Sequence, residues 1–337
     1  VQYSKGTNIS GYLVDYQVSE TTMSTIYRVE HRALRSKHAM KFLQPQFADI
    51  PSINSVYAKE MQILSNIRSP YLVRITEVIN SKSGLGIVMD WMDGDTLETY
   101  LRKVGELTPF FAVKWASQVL SVLNLCHQNG LLHLGVCPHN IFLEKIEGGR
   151  VAVLMEHNIG RRMEQGDQKP SFNRASSYYC SPEQIDEPDL LGVPSDIYAV
   201  GILLYRLITG KVPFEGDTEY QIMHSIVSSE IPPFSDDLAV PDGLESVIRC
   251  AMNRDISKRY QTIAEFVEDL SVLFDESFLG DETVSEEAAL DSIERKEDAE
   301  FEFALEDKEG IRKEEKEKIE KKQKSLKDLF QKNKQKG

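Results

Sequence analysis

Apolar residues recur at helical spacing in several blocks of this chain, separated by polar and proline-marked turns. From Phe110 to His127, the residues Val113, Ala116, Val119, Leu120, Leu123 and Cys126 fall on one stripe, which predicts a long amphipathic helix with that stripe in the core. Leu97 to Leu101 predicts a helix just ahead of it, and Leu244 to Met252 and Ile263 to Phe274 predict two closing helices. Pro232-Pro233, Asp236-Asp237 and Pro241 mark a loop before that closing pair. In the block that starts at Tyr57, Ile63, Leu64 and Ile67 lie on one side, predicting a helix that also carries Glu60. Val151 to Met155 is a short apolar run that reads as a strand. No internal repeat interrupts this order.

The pattern lapses after Phe274. Residues 276–310 hold fourteen acidic and three basic residues, and residues 311–337 hold eleven basic and five acidic. The acidic stretch has too few apolar positions for a core of its own, although Phe301, Phe303 and Leu305 could dock onto a partner. The Lys-rich end, with Ile311, Ile319, Leu326, Leu329 and Phe330 in loosely helical spacing, reads as a solvated, partly helical tail. It could serve as a partner-binding helix or meet an anionic membrane surface. The formal net charge of −14 argues against nucleic acid. Cys126, Cys137, Cys180 and Cys250 show neither metal nor disulfide spacing, so the expected compartment is the cytoplasm. The chain starts at Val1, which leaves open a membrane segment outside it.

The informative chemistry lies mid-chain, in His133-Leu134-Gly135-Val136-Cys137-Pro138-His139-Asn140 followed by Ile141-Phe142-Leu143. This resembles the catalytic loop of protein kinases, H-R-D-L-K-P-x-N. Ser181-Pro182-Glu183-Gln184, the run Ser195-Asp196-Ile197-Tyr198 through Tyr205, Leu207 to Phe214, and Arg259 follow in the order that the family carries them. Upstream, Ala39-Met40-Lys41 resembles the strand whose Lys contacts ATP phosphates. Glu60 stands where that Lys finds its ion-pair partner. Ile87 to Met92 resembles the strand and hinge, with Met89 as gatekeeper and Asp90 and Met92 at the nucleotide-facing positions. The wording looks most like the bacterial Ser/Thr branch.

What the resemblance implies is a two-lobed α+β fold over about four fifths of the chain: an N-lobe and hinge at 1–92, a helical C-lobe at 93–275 and a charged tail at 276–337. It also exposes departures. Gly135 replaces the Asp that accepts the substrate proton, Leu134 the Arg and Cys137 the Lys. No catalytic residue is intact, and His133 and His139 are the only substitute bases nearby. Ser19, Thr21 and Ser24 replace the three glycines of the phosphate loop; their hydroxyls could bind phosphate, or the segment could be a plain hairpin. Glu156-His157-Asn158 stands in place of D-F-G, leaving Asn140 and Glu156 as a degenerate metal pair; a one-residue shift would put Met155 at the metal position.

A positioned base contributes ~10²–10⁴ in rate, or roughly 3–5 kcal/mol of barrier, and here it is lost with its neighbours. The expected function is a pseudokinase acting as a signalling scaffold or binding module for protein partners, with weak ATP binding and a poor Mg²⁺ site. The alternatives are a slow Ser/Thr kinase using Lys41, Glu60, Asn140 and Glu156, and a nucleotide sensor without turnover. Lys41 and Glu60 also fit a plain ion pair between helix and sheet. Structural roles are expected for His133, Glu183, Asp196 and Arg259, with a buried Glu183–Arg259 pair and Asp196 anchoring the loop near His133.

Overall fold

Buried and less buried positions alternate along β2 (Tyr12–Glu20) and β3 (Ser24–His31), as they must where one sheet face meets a core. These strands join β1 (Asn8–Ile9), β4 (Lys37–Leu43), β5 (Ile75–Ser81) and β6 (Gly84–Asp90) in an antiparallel sheet of order β1-β2-β3-β4-β6-β5. The computed structural model describes residues 3–274 apart from 22–23, 49, 82–83, 148 and 156–173. Tyr12, Val14, Tyr27, Val29, Met40, Phe42, Ile79 and Val88 form the core of this sheet.

α1 (Pro45–Ala48) and α2 (Pro51–Asn66) follow β4, with Pro51 at the start of α2, where its missing N–H costs nothing. The buried face of α2 is Ile53, Tyr57, Glu60, Met61 and Leu64. This corrects the expected stripe. Ile63 is only half-buried, and Ile67 lies past the end of the helix in extended conformation. Leu64 is buried as expected, and Glu60, one turn ahead of it on the same side of the helix, is buried with it.

The second part is helical. β7 (Gly94–Thr96), β8 (Ile141–Ile146) and β9 (Gly149–Leu154) form a small antiparallel sheet beside α3 (Leu97–Val104) and α4 (Pro109–Gln128). α3 runs a turn beyond the expected Leu101, and all six residues of the predicted α4 stripe are buried. β9 also bonds to the segment after α2, through Val73 N–H to Leu154 O at 3.0 Å and Leu154 N–H to Tyr71 O at 2.8 Å. Two short helices, α5 (Arg174–Ser177) and α6 (Pro182–Asp186), precede α7 (Val193–Thr209), which is buried nearly all round. α8 (Glu219–Ser228), α9 (Leu244–Ala251) and α10 (Ile263–Leu273) complete the helical part. Gly201 lets α9 approach α7, since a Cβ there would lie 2.7 Å from Met252 Cγ. Among the described residues, no helix is long and apolar enough to cross a membrane.

One ion pair ties α6 to the chain ahead of α10. Arg259 forks onto Glu183, Nη1 to Oε1 at 2.7 Å and Nη2 to Oε2 at 2.8 Å, with both side chains almost fully buried. Ser195 Oγ donates to the same carboxylate at 2.7 Å, and the guanidinium lies 4.9 Å from the centre of the Tyr198 ring. Removing one partner of such a pair strands the other charge in the core, at a cost of about 3–5 kcal/mol. Arg259→Ala should therefore lower the denaturation midpoint sharply in thermal or urea unfolding. Arg259→Lys should recover only part of the loss, because an ammonium cannot make the two parallel bonds. An unchanged midpoint in Arg259→Ala would show that the pair contributes nothing.

Candidate functional site

Thr21 and Ser24, the second and third residues expected to meet phosphate, spend their polar groups on each other. Thr21 N–H donates to Ser24 O at 2.8 Å, the Thr21 hydroxyl donates to the same oxygen at 3.1 Å, and Ser24 N–H donates back to Thr21 Oγ1 at 3.0 Å. Gln44 Nε2 closes the turn from outside, donating to Thr21 O at 2.9 Å. Ser24 is buried, and Ser19 lies within β2, paired with Ile26 across the hairpin. A phosphate cradle needs amides turned outward. The Thr21 and Ser24 amides point into the hairpin.

Lys41 sits on β4 opposite Ile87 of β6 and is buried, as is Glu60 on α2. A cavity of about 40 Å³ lies beside Lys41, lined also by Met61 and Leu64 of α2, Met89, His133 and Met155. The structure thus brings Lys41, the gatekeeper and the loop histidine to one space. Asp90 ends β6, its N–H donating to Arg74 O at 3.1 Å, and Met92 follows in the segment leading to β7. The Arg28 guanidinium packs 5.3 Å from the Trp91 ring centre and 5.5 Å from that of Tyr16, and it pairs with Asp15. This clamp on the hinge was not read from the sequence, since its members are far apart in the chain.

The loop from His133 to Asn140 is held from below. Asp196, wholly buried on α7, accepts His133 N–H at 2.8 Å and Leu134 N–H at 2.6 Å, and His127 Nε2 lies 2.8 Å from Oδ2. A carboxylate only accepts, so that histidine nitrogen carries the proton. The clamp holds Leu134 at φ +55°, a left-handed conformation costing a non-glycine residue on the order of 1–3 kcal/mol. Charge-assisted bonds of about 1.5–3 kcal/mol each offset that cost. Gln184 Nε2 donates to Leu134 O at 3.1 Å, and Gly135 N–H to His133 Nδ1 at 3.2 Å. His133 is buried, and its Nδ1 accepts the Gly135 N–H. Asn140 Nδ2 donates to Gly135 O at 2.8 Å, so its amide closes the loop and only Oδ1 is turned to other uses. Gly135 itself brings no side chain. Glu156 lies outside the described residues. Met155 N–H donates to Asn140 O at 2.9 Å.

His139, the other candidate base, belongs to a network that sequence reasoning missed. Glu98, buried on α3, accepts from Arg102 Nε at 3.1 Å and from Arg206 Nη1 at 2.7 Å, and lies 4.0 Å from His139 Nδ1. Arg206 Nη1 also donates to the buried Tyr179 hydroxyl at 2.7 Å. Burial pushes the His139 pKa down more than Glu98 lifts it. The Glu98/Arg102 spacing of four on a helix was a usable signal. Arg206, from α7, was not.

Asp196 and Glu183, two of the buried carboxylates of this scaffold, contribute to its acid response. Burial alone would raise both pKa values, but hydrogen bonds and charge outweigh it: His127 and His133 at Asp196, Arg259 and Ser195 at Glu183. Both groups end below the usual carboxylate range. Groups so depressed stabilise the fold above their unfolded pKa, and this is lost as pH falls through the folded value. The contribution of these two carboxylates to the unfolding free energy should be flat from about pH 7 to 5 and drop steeply below about pH 4. Asp196→Asn should lower stability at neutral pH and flatten the acid limb. A denaturation midpoint that ignores pH down to about 3 would contradict this assignment.

The protein kinase domain family matches residues 12–270. Among curated relatives, PknB of Mycobacterium tuberculosis is 29% identical over 74% of this chain and 40% of its own length. PrkC of Bacillus subtilis is 29% identical over 80% of this chain and 42% of its own length. Both are serine/threonine-protein kinases, and this chain spans about two fifths of each. The crystal structure of the Mycobacterium tuberculosis PknI kinase domain shares the fold, with a TM-score of 0.61 at 22% identity, covering 80% of this chain and 98% of that one. With its antiparallel N-terminal sheet, helical second part and Asp196-anchored loop, this chain is a member of the protein kinase family, of the bacterial Ser/Thr type.

Proposed function

We propose that this kinase domain is a pseudokinase that works in signalling as a scaffold or binding module for protein partners. The observation that carries the reading is Gly135. Its loop keeps the backbone clamp of Asp196 and the closing bond from Asn140, so what is missing is the side chain that would accept a proton. The inward-turned amides of Thr21 and Ser24 point to weak ATP binding. Asn140 is the one metal-ligand candidate of the pair among the described residues. The working unit is the N-lobe and hinge at 1–92 with the C-lobe at 93–275. Residues 276–337 are the adaptable part, able to meet a protein or, through the Lys-rich end, an anionic membrane surface.

A slow or atypical ATP-dependent Ser/Thr kinase is the second reading. The retention of buried Lys41 and Glu60 together with Asn140 favours it. The same residues support a nucleotide sensor if ATP binds without turnover.

Purified protein incubated with radiolabelled ATP and Mg²⁺ should transfer no phosphate above background to itself or to a basic protein substrate. Gly135→Asp should not restore transfer. Robust transfer that disappears in Lys41→Met would replace this reading with the second one.

Millimolar ATP should barely move the thermal midpoint, with or without Mg²⁺, since ligand binding to the native state stabilises by mass action. Glu156→Ala should leave that midpoint unchanged. A large Mg²⁺-dependent rise would move the nucleotide-sensor reading to first place.

A further inference from the structure

The turn that joins β3 to β4 carries an exposed leucine among three basic residues. Residues 31–37 read His-Arg-Ala-Leu-Arg-Ser-Lys, with no acidic residue among them. Leu34 is 75% exposed, and Arg32, Ala33, Arg35 and Lys37 are exposed with it. Arg35 pairs with Glu30 at 2.9 Å, whereas Arg32 and Lys37 have no ion-pair partner among the described residues. The Arg35 side chain is 72% exposed, and so open a pair is worth little, which leaves Arg35 available to a stronger anion.

A single leucine on a surface is ordinary. Two features set this one apart. The first is that its turn is pinned from several sides. His31 N–H donates to Ser36 O at 2.8 Å, Arg35 N–H to His31 O at 2.8 Å, and Arg32 N–H to Gly11 O at 2.9 Å. Leu34 N–H itself donates to His31 Nδ1 at 3.0 Å, and Arg35 is held in the left-handed region at φ +58°. The turn is thus ordered before anything binds. The second is that its charge is local. The whole chain is acidic, at −14, but charges farther off than roughly 8–10 Å are screened, so a surface that touches the turn meets its three cations.

An apolar tip with cationic flanks suits a lipid interface, where the apolar group enters the headgroup boundary and long basic side chains reach the lipid phosphates. A protein partner would need an interface of about 1,200–2,000 Å², far more than one turn offers. A bilayer needs no matching shape.

We propose that the turn at 31–37 is a membrane contact, in which Leu34 enters the interface of an anionic bilayer and Arg32, Arg35 and Lys37 meet its headgroups. The contact stands apart from the pseudokinase reading and does not involve the Lys-rich end of the chain.

Sedimentation of the full 337-residue chain with vesicles tests it, using phosphatidylcholine alone and phosphatidylcholine mixed with phosphatidylserine. The chain should bind the anionic vesicles and not the neutral ones, and added salt should weaken that binding. Leu34→Ser should lower the partition coefficient roughly tenfold. Arg32→Gln with Lys37→Gln should lower it roughly twentyfold, at about fivefold per basic residue. Lys211→Gln, at an exposed lysine elsewhere, should leave it unchanged. Leu34→Trp locates the contact: its added emission should shift to the blue on anionic vesicles and be quenched by brominated lipid, above the background of Trp91 and Trp115. Circular dichroism melts check that each variant is folded. Anionic binding that survives both Leu34→Ser and the paired Gln variant would overturn the contact, as would Leu34→Trp emission that ignores brominated lipid. No binding to anionic vesicles would overturn it outright. Capture on immobilised poly-glutamate without vesicle binding, lost in the paired Gln variant, would assign the turn to an acidic protein partner instead.

Discussion

Asp196 is the group on which the rest of the site depends. A single carboxylate buried on α7 accepts two successive backbone amides and faces a histidine, and in doing so it fixes the left-handed turn at Leu134. Everything from His133 to Asn140 inherits its position from that clamp. The carboxylate can remain ionised in the core because three donors replace the water it gave up. None of these bonds involves a side chain that catalysis would use.

That separation means the loop's shape is held independently of the residue at position 135. The anchors are backbone amides, the Gln184 amide and the Asn140 amide, and they are indifferent to what stands at position 135. The phosphate-facing hairpin followed another course. The Thr21 and Ser24 amides bond within the hairpin, and Gln44 Nε2 donates to Thr21 O. One end of the site is therefore a loop anchored through its backbone, while at the other Thr21 and Ser24 are hydrogen-bonded within a β-hairpin.

Long-range polar contacts supply what apolar packing leaves undetermined. Glu183 and Arg259 fix α6 against the turn before α10, and Glu98 with Arg206 fixes α3 against α7. Both carboxylates are oriented by fork-shaped cations. They differ in matching: Glu183 meets one guanidinium through both oxygens, whereas Glu98 is shared between Arg102 and Arg206.

The sequence by itself determined the elements whose residues interact locally. The α4 stripe, the closing helices and the ordered run of motifs were legible because helical spacing and turn chemistry are written within a few residues. The motifs also placed Gly135 at the centre of an otherwise familiar loop. Tertiary structure decided the rest. Which face of α2 is buried depended on the sheet it packs against, and the outcome put Glu60 inside and Ile63 at the margin. Whether Thr21 and Ser24 offer their amides to a ligand depended on hairpin hydrogen bonds that no propensity encodes. The cluster of Glu98, His139 and Arg206 joins residues more than a hundred positions apart, brought together only when α3, the loop and α7 pack. Local pattern follows from covalent spacing, but the electrostatics of a site follow from distance in space, and only the folded chain sets that.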